Sequence, residues 1–294
     1  MDPTIVRDLQ GSRKYHERMP RILAALALSS HPGPSVAVSA VAVVLGIAVG
    51  LDPLHVAFLG IAILLGQLSV GLSNDWIDAE RDRAVGRTDK PVAAGRVSVG
   101  TVRAASFVTA VAAILLTLPL GLLATLAHTV FILSAWGYNL GLKNTPVSVL
   151  PYIVSFGLLP MIATLARPVP AAAAAWALAL GALLGVAAHF ANVLPDLDDD
   201  ARTGIAGLPH RIGRTASGVV IWTSLAAGAA AAFFGPAGDK TALQWIGLAL
   251  TLLLAVAIAV ELRRSPTRLL FQLIIAAALV NVVLLSFSGP RLLA

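Results

Sequence analysis

The chain has 294 residues, of which 57% are hydrophobic and only 12% charged, with a formal net charge of +6 and no cysteine. A soluble domain carries about 25% charged residues, so the composition fits a polytopic helical membrane protein and excludes disulfides and thiolate metal sites. The positive charge does not require a nucleic-acid partner, because Lys and Arg in a membrane protein report orientation first.

Residues 1–21 form a polar, basic arm with Arg7, Arg13, Lys14, Arg18 and Arg21. The arm is expected in the cytosol, lying on anionic lipid, and the whole of 1–294 is read as one membrane domain. Residues 22–28 imitate the apolar core of a signal peptide. Asp2, Asp8 and Glu17 precede them and another apolar run follows, so a retained N-terminus is expected. Ser29-Ser30-His31-Pro32-Gly33-Pro34 breaks the first span near Pro32 and leaves its main part at 33–50. With about 20 apolar residues per span, the pattern predicts an all-α bundle of nine transmembrane helices around a central cavity. The spans fall at roughly 22–50, 54–76, 99–119, 121–141, 146–167, 170–194, 213–234, 243–262 and 267–288. With the N-terminus inside, every Lys and Arg except Arg167, Lys240 and Arg291 falls on the cytosolic side. This asymmetry predicts a multi-pass plasma-membrane protein with its polar loops in the cytosol.

Spans two and six run in the same direction, and each ends in the same sentence. Asn74, Asp78, Asp82, Gly86, Pro91, Gly95 and Arg96 recur, shifted by 118, as Asn192, Asp196, Asp200, Gly204, Pro209, Gly213 and Arg214. Asp75 belongs to the first copy alone. The two cores hold eight of the fifteen acidic residues: Asp75, Asp78, Glu80 and Asp82, then Asp196, Asp198, Asp199 and Asp200. Positions i, i+4 and i+8 advance about 40° per step around a helix and about 6 Å along it. Asn74, Asp78 and Asp82 therefore make one polar stripe, and Asn192, Asp196 and Asp200 a second. Carboxylates near a bilayer cost several kcal/mol each and default to function. A solvated helix end explains either copy alone, but not the matched pair.

Oxygen-only ligands without Cys or His suit Mg²⁺ or Mn²⁺ rather than zinc. Arg81, Arg83, Arg87 and Lys90 follow the first copy, and Arg202, Arg211 and Arg214 the second. Carboxylates, metal and cations around one cleft bind and ionise a phosphate ester. With a lipid-like wall behind, the expected substrate has a diphosphate head and a hydrocarbon tail.

These residues resemble the UbiA superfamily of intramembrane aromatic prenyltransferases. Asn74-Asp75-x-x-Asp78-x-x-x-Asp82 is similar to its NDxxDxxxD motif, and Asp196-x-x-x-Asp200 to its DxxxD motif. Arg87-Thr-Asp-Lys90-Pro91, Gly207-Leu-Pro209-His-Arg211-Ile-Gly213 and Tyr138-Asn-Leu-Gly-Leu-Lys143 resemble further family segments. The resemblance implies two Mg²⁺ ions held by Asn74, Asp78, Asp82, Asn192, Asp196 and Asp200, with Asp75 supporting. It implies a diphosphate gripped by Arg87, Lys90, Lys143 and Arg211, and Tyr138 beside the nascent allylic cation. An isoprenyl diphosphate would ionise and its prenyl group pass to a small acceptor. Many members carry Arg-Pro where this chain has His31-Pro32, in a region the resemblance places near the acceptor.

Other polar residues have plainer readings. His31 can bind the acceptor, act as a base or cap a helix. His189 lies two turns before Asp196 and either reaches the cavity or is a satisfied interior group. His128, Asn139 and Asn281 read as structural, and Trp76 and Trp245 as interfacial residues, Trp76 alternatively facing the tail. Two rival functions share the pattern. A terpene cyclase on the same scaffold would quench the cation internally. A cation transporter would use paired acidic helices, but such sites lie near the membrane midplane.

Overall fold

The computed structural model describes residues 19–197, 204–261 and 268–294. Among these residues every regular element is a helix, and the sole strand-like contact is an isolated bridge between Ala173 and Leu293. Helix α1 (Met19–Ser29) and helix α2 (Pro32–Ala48) are bent by 67°. The break falls on His31, the one non-glycine residue with positive φ (52°) among those described. Pro32 disfavours a right-handed helix at the residue before it. The broken backbone nests on helix α3 (Pro53–Ile77) at Gly71, where a Cβ would stand 2.2 Å from the Ser30 carbonyl oxygen.

The Asp52 carboxylate caps α3 by accepting from the Leu54 and His55 amides at 3.0 and 3.2 Å. The helix runs 25 residues, breaks at Asp78 and resumes as α4 (Ala79–Ala84). Helices α5 (Val99–Thr117), α6 (Leu122–Leu140), α7 (Leu150–Leu165) and α8 (Ala175–Val193) follow. The last three are α9 (Leu208–Phe234), α10 (Ala242–Glu261) and α11 (Arg268–Ser286). Five helices are long and apolar enough to cross a membrane, or six if α1 and α2 make one bent span. The window of α5 is only 17% buried, and its Phe107, Val108, Val111 and Leu115 face outward, as a lipid-facing helix requires.

The sequence repeat is also a structural repeat. A shift of 118 carries α3 onto α8 and α5 onto α9, and α3–α5 and α8–α9 are both among the most extensively packed helix pairs. The repeated glycines match in backbone: Gly86 and Gly95 both have φ 71°, and Gly204 and Gly213 both have φ 80°. Left-handed φ is open to glycine at little cost, which is why glycine stands at these corners in both copies. Gly213 consequently breaks α9 near its start.

Leu45, Leu59, Ile63, Phe131, Leu180 and Ile221 are among the fully buried side chains of the main core. A smaller cluster of Ala25, Leu72, Ala79, Val92, Val97 and Val102 fastens α1 and the loop after α4 to the motif end of α3. Helix α8 approaches the backbone of α7 directly at two glycines. A Cβ on Gly181 or Gly185 would lie 2.4 Å from the Phe156 or Tyr152 carbonyl oxygen, the close approach that small residues permit in membrane bundles. This contact sets how far the Tyr152 and Phe156 rings reach inward. Gly185→Leu should cost about 1–3 kcal/mol or more by overpacking, read as a lower thermal unfolding midpoint in detergent. Gly33→Ala, where a Cβ meets nothing within 4 Å, should not lower it.

Candidate active site

The backbone keeps the first stripe in phase across the helix break. The Asp78 amide donates to the Asn74 carbonyl at 3.0 Å, and the Asp82 amide to the Asp78 carbonyl at 2.9 Å. Asp75, Asp78 and Asp82 are 1%, 5% and 2% exposed, so three carboxylates are buried within eight residues. Three cations of the chain meet them. The Lys143 ammonium contacts Asp78 Oδ1, and Arg81 Nη2 lies 3.1 Å from Asp78 Oδ2 and 3.6 Å from Asp82 Oδ1. Lys90 Nζ lies 3.0 Å from Asp82 Oδ2 and 3.8 Å from Asp75 Oδ1, and it donates to Asn74 Oδ1 at 3.2 Å. The Asn74 amide donates to Asp78 Oδ2 at 3.1 Å and to Asn139 Oδ1 at 3.5 Å. Asn139 is in turn fixed by donating to the Val70 carbonyl and to Ser73 Oγ. It is the interhelical partner its sequence position suggested, and it orients Asn74.

Lys143 reaches Asp78 because Gly141, at φ 155°, ends α6 and starts a short turn at Leu142–Asn144. Burial pushes its ammonium pKa down, and Asp78 works in the opposite direction. Arg87 instead forms a two-pronged contact with Asp89, both bonds at 2.9 Å, outside the carboxylate cluster. The Arg87 guanidinium holds the Asp89 carboxyl down to about 2.

In the second copy, Asn192 is exposed on the last turn of α8, and Leu194–Asp196 tightens into a 3-10 turn. The Asp196 side chain and all of Asp198, Asp199, Asp200 and Arg202 lie outside the described residues. Arg211 Nε donates to the Ala206 carbonyl at 2.8 Å, and Arg214 to the Leu194 carbonyl at 3.3 Å.

Asn74 and Asn192 line one cavity of about 360 Å³. Its other walls are mostly apolar or aromatic, including Val38, Phe131, Tyr138, Tyr152 and Phe156. Tyr138 packs edge-on to Tyr152 at 5.2 Å and to His189 at 5.7 Å. His31 lines the cavity beside Asn74. His189 is 1% exposed and does not line it. His128 is fully buried and hydrogen-bonded through Nδ1 to Thr117 at 2.8 Å. Trp76 donates to Ser106 Oγ at 3.1 Å and does not line the cavity.

A clasp joins the two copies. His189 Nε2 and Ser148 Oγ are hydrogen-bonded at 3.1 Å, and Ser148 Oγ accepts from the Leu208 amide at 2.9 Å. Gly207, next to Leu208, packs where a Cβ would stand 2.5 Å from the Lys143 carbonyl oxygen. The segment after the second stripe is thus seated on the turn that delivers Lys143 to the first. Sequence reading missed Ser148, Gln67 and Tyr152. Only Gln67 carries a local signal, since it lies seven residues before Asn74 and in phase with the stripe.

The residues present suit a hard divalent ion. The donors are all oxygens, and Asp75 Oδ2 and Asp82 Oδ2 are buried without a hydrogen-bond partner among the described residues. Lys90 faces the latter as a charge, at an angle short of a hydrogen bond. Among the described residues no three acidic or histidine side chains close into a ready-made cage. The all-oxygen donor set suits Mg²⁺, which uses few carboxylates and completes its shell with water and substrate phosphate.

A family model described as the UbiA prenyltransferase family matches residues 23–288. No curated protein sequence matches the chain. Among solved structures, a UbiA homologue from Archaeoglobus fulgidus bound to GPP and Mg²⁺ superposes with a TM-score of 0.68 at 13% identity, covering 94% of this chain and 99% of that one. An apo UbiA homologue from Aeropyrum pernix K1 gives 0.68 at 18%, covering 90% and 97%. A digeranylgeranylglyceryl phosphate synthase gives 0.66 at 14%, covering 93% and 99%. At these identities the structures establish a shared fold.

The clasp makes its own prediction. Ser148→Ala removes the acceptor of the Leu208 amide and should cost about 1–3 kcal/mol. Amide hydrogen exchange at Leu208 should accelerate, and unchanged exchange there would show that Ser148 does not hold the segment.

Proposed function

The chain belongs to the UbiA prenyltransferase family, and from that premise we propose that it ionises an isoprenyl diphosphate with Mg²⁺ and transfers the prenyl group to a small aromatic acceptor. The observation that carries this reading is the shared cavity. Asn74 and Asn192, one from each copy, line it together with the rings of Phe131, Tyr138, Tyr152 and Phe156. Asn74, Asp75, Asp78, Asp82, Asn192, Asp196 and Asp200 would hold two divalent ions, Mg²⁺ or Mn²⁺. When bound, the metal neutralises the phosphate oxygens and stabilises the charge on the departing group.

The chain's own residues do the rest. Lys90 and Lys143 are donors that already face the Asp75, Asp78 and Asp82 carboxylates, while Arg87 stands on the loop after α4 and Arg211 on the first turn of α9. They receive the pyrophosphate as the allylic C–O bond breaks and the electron pair leaves with oxygen. Tyr138, Tyr152 and Phe156 exclude water and present ring faces to the cationic carbon. A π-bond of the acceptor supplies the electrons of the new C–C bond, and the acceptor then loses a proton to the departing pyrophosphate.

The nine-span architecture is part of this proposal. It takes α1 and α2 as one bent span, adds α6 and the shorter α7 and α11 to the five long apolar helices, and puts the N-terminal arm and both Asp-rich loops in the cytosol of a plasma-membrane protein. The aromatic walls also support a second reading, a cyclase that folds the cation against itself. Formation of a hydrocarbon from geranylgeranyl diphosphate and Mg²⁺ without acceptor would favour that reading.

The test uses purified protein with geranyl diphosphate. Pyrophosphate release should require Mg²⁺, stop with chelator and return on repletion. Asp78→Asn and Asp82→Asn should each lower it by about 10²–10³, as loss of a charge-stabilising group does, with helicity retained by circular dichroism. Wild-type rates in both variants would sink the assignment.

A further inference from the structure

Two polar groups in the cavity have no use in the reaction as described: His31, which is hydrogen-bonded to Asn74, and Gln67. Gln67 lines the cavity from α3. It lies seven residues before Asn74, nearly two full turns, so it shares that face about 10 Å further in. It is ten residues short of the helix end at Ile77, about 15 Å, and so near the middle of an apolar helix long enough to cross a hydrocarbon layer about 30 Å thick. Val38, Val70, Phe131 and Phe156 line the same cavity.

The serines that line the cavity, and Asn74 and Asn139 with them, are bonded within the chain. Ser30 donates to the Ala27 carbonyl at 2.7 Å, Ser35 to the Ser30 carbonyl at 2.9 Å and Ser155 to the Phe131 carbonyl at 3.2 Å. Asn139 is held as described. The Gln67 amide, with two donors and a carbonyl acceptor, makes no side-chain hydrogen bond among the described residues, and neither does the Tyr152 hydroxyl. A free amide facing apolar walls at mid-membrane is costly unless something in the cavity pairs with it. A pure hydrocarbon would bury the amide and leave it unpaired. Its carbonyl oxygen would also be a hazard beside a migrating carbocation.

We propose that Gln67, assisted by the Tyr152 hydroxyl, is the acceptor-recognition point of this cavity: the acceptor is a small, largely apolar molecule whose hydroxyl or carbonyl group hydrogen-bonds the Gln67 amide. This rests on the function proposed above and deepens it. It makes transfer to a polar-tagged acceptor, rather than internal quenching, the reaction the cavity is built for. Gln67 is a specificity-determining residue under this proposal.

The test needs no knowledge of the natural acceptor. Two probes matched in shape, 2-naphthol and naphthalene, are titrated against the full chain in detergent. Their dissociation constants are taken from the concentration dependence of the unfolding midpoint. The ratio of the two constants cancels common partitioning into the micelle when wild type and Gln67→Leu are compared. The wild type should favour 2-naphthol by about fivefold more than the variant does, the worth of one neutral hydrogen bond. An unchanged ratio overturns the proposal and leaves the amide to cavity water. The ligand-free Gln67→Leu protein should unfold at or above the wild-type midpoint, because it loses an unpaired group. A marked fall would show a structural role and overturn the proposal equally. Wild-type pyrophosphate release is scored separately. Its absence with the naphthol preference intact would sink the ionisation chemistry and not the recognition point.

Discussion

Everything at the motif end of this protein follows from the burial of three carboxylates within eight residues. Asp75, Asp78 and Asp82 are nearly inaccessible, and isolated buried charges are not sustained without partners. Arg81, Lys90 and Lys143 supply three positive charges within 4 Å. Each arrives by a different route. Arg81 sits one turn on from Asp78 in the same helical run. Lys90 comes from the loop that turns at Gly86, and Lys143 from the turn opened by Gly141. The glycine corners, the short α4 and the clasp at Ser148 are means of bringing those cations to that point. A site neutral in this way is also poised to exchange partners. A lysine that faces a carboxylate can turn to a phosphate oxygen when a divalent ion takes over the carboxylate.

Duplication explains the scaffold, and divergence explains the labour. The paired φ values at Gly86 and Gly204, and at Gly95 and Gly213, show one backbone design used twice. The side chains at the corners differ. The first copy carries Asp75 and Lys90, where a shift of 118 finds Val193 and Leu208. In the second copy the position matching Lys90 gives its backbone amide to Ser148 instead of a charge to a carboxylate. One corner became an electrostatic element and the other a structural rivet. They meet at Leu142–Asn144, whose side chain serves the first and whose carbonyl seats the second.

The stripe, its counter-charges and the broken first span were legible in the sequence because they are local. Spacing of four puts Asn74, Asp78 and Asp82 on one face, and Pro32 after His31 dictates a break whatever the surroundings. The 118-residue offset foretold matching glycine corners for the same reason. What could not be read depends on helices far apart in the chain. The Gly181 and Gly185 contact needs the carbonyls of Phe156 and Tyr152 opposite. Ser148 is an ordinary loop serine until His189 and Leu208 converge on it. The sequence around Trp76 does not show its partner, because Ser106 comes within reach of the indole N–H only on the neighbouring helix.

Under the proposed function, the cavity joins two environments that the reaction needs and that do not ordinarily coexist. Splitting an allylic diphosphate into ions is unfavourable in a low-dielectric space, because Coulomb attraction between the fragments grows as the dielectric falls. It becomes feasible when one fragment is neutralised where it forms, by groups already oriented and needing no reorganisation. The polar end of the cavity, with Asn74 and the cations behind it, meets that demand for the anion. The cation needs the reverse: no water, and polarizable π-faces rather than lone pairs, which Phe131, Tyr138, Tyr152 and Phe156 provide. The boundary between the two falls within about two helical turns, between Asn74 and the level of Gln67. In the proposed reaction that short distance makes the burial of charge useful: the carboxylates stand close enough to the apolar chamber to act on a bond whose other half lies inside it.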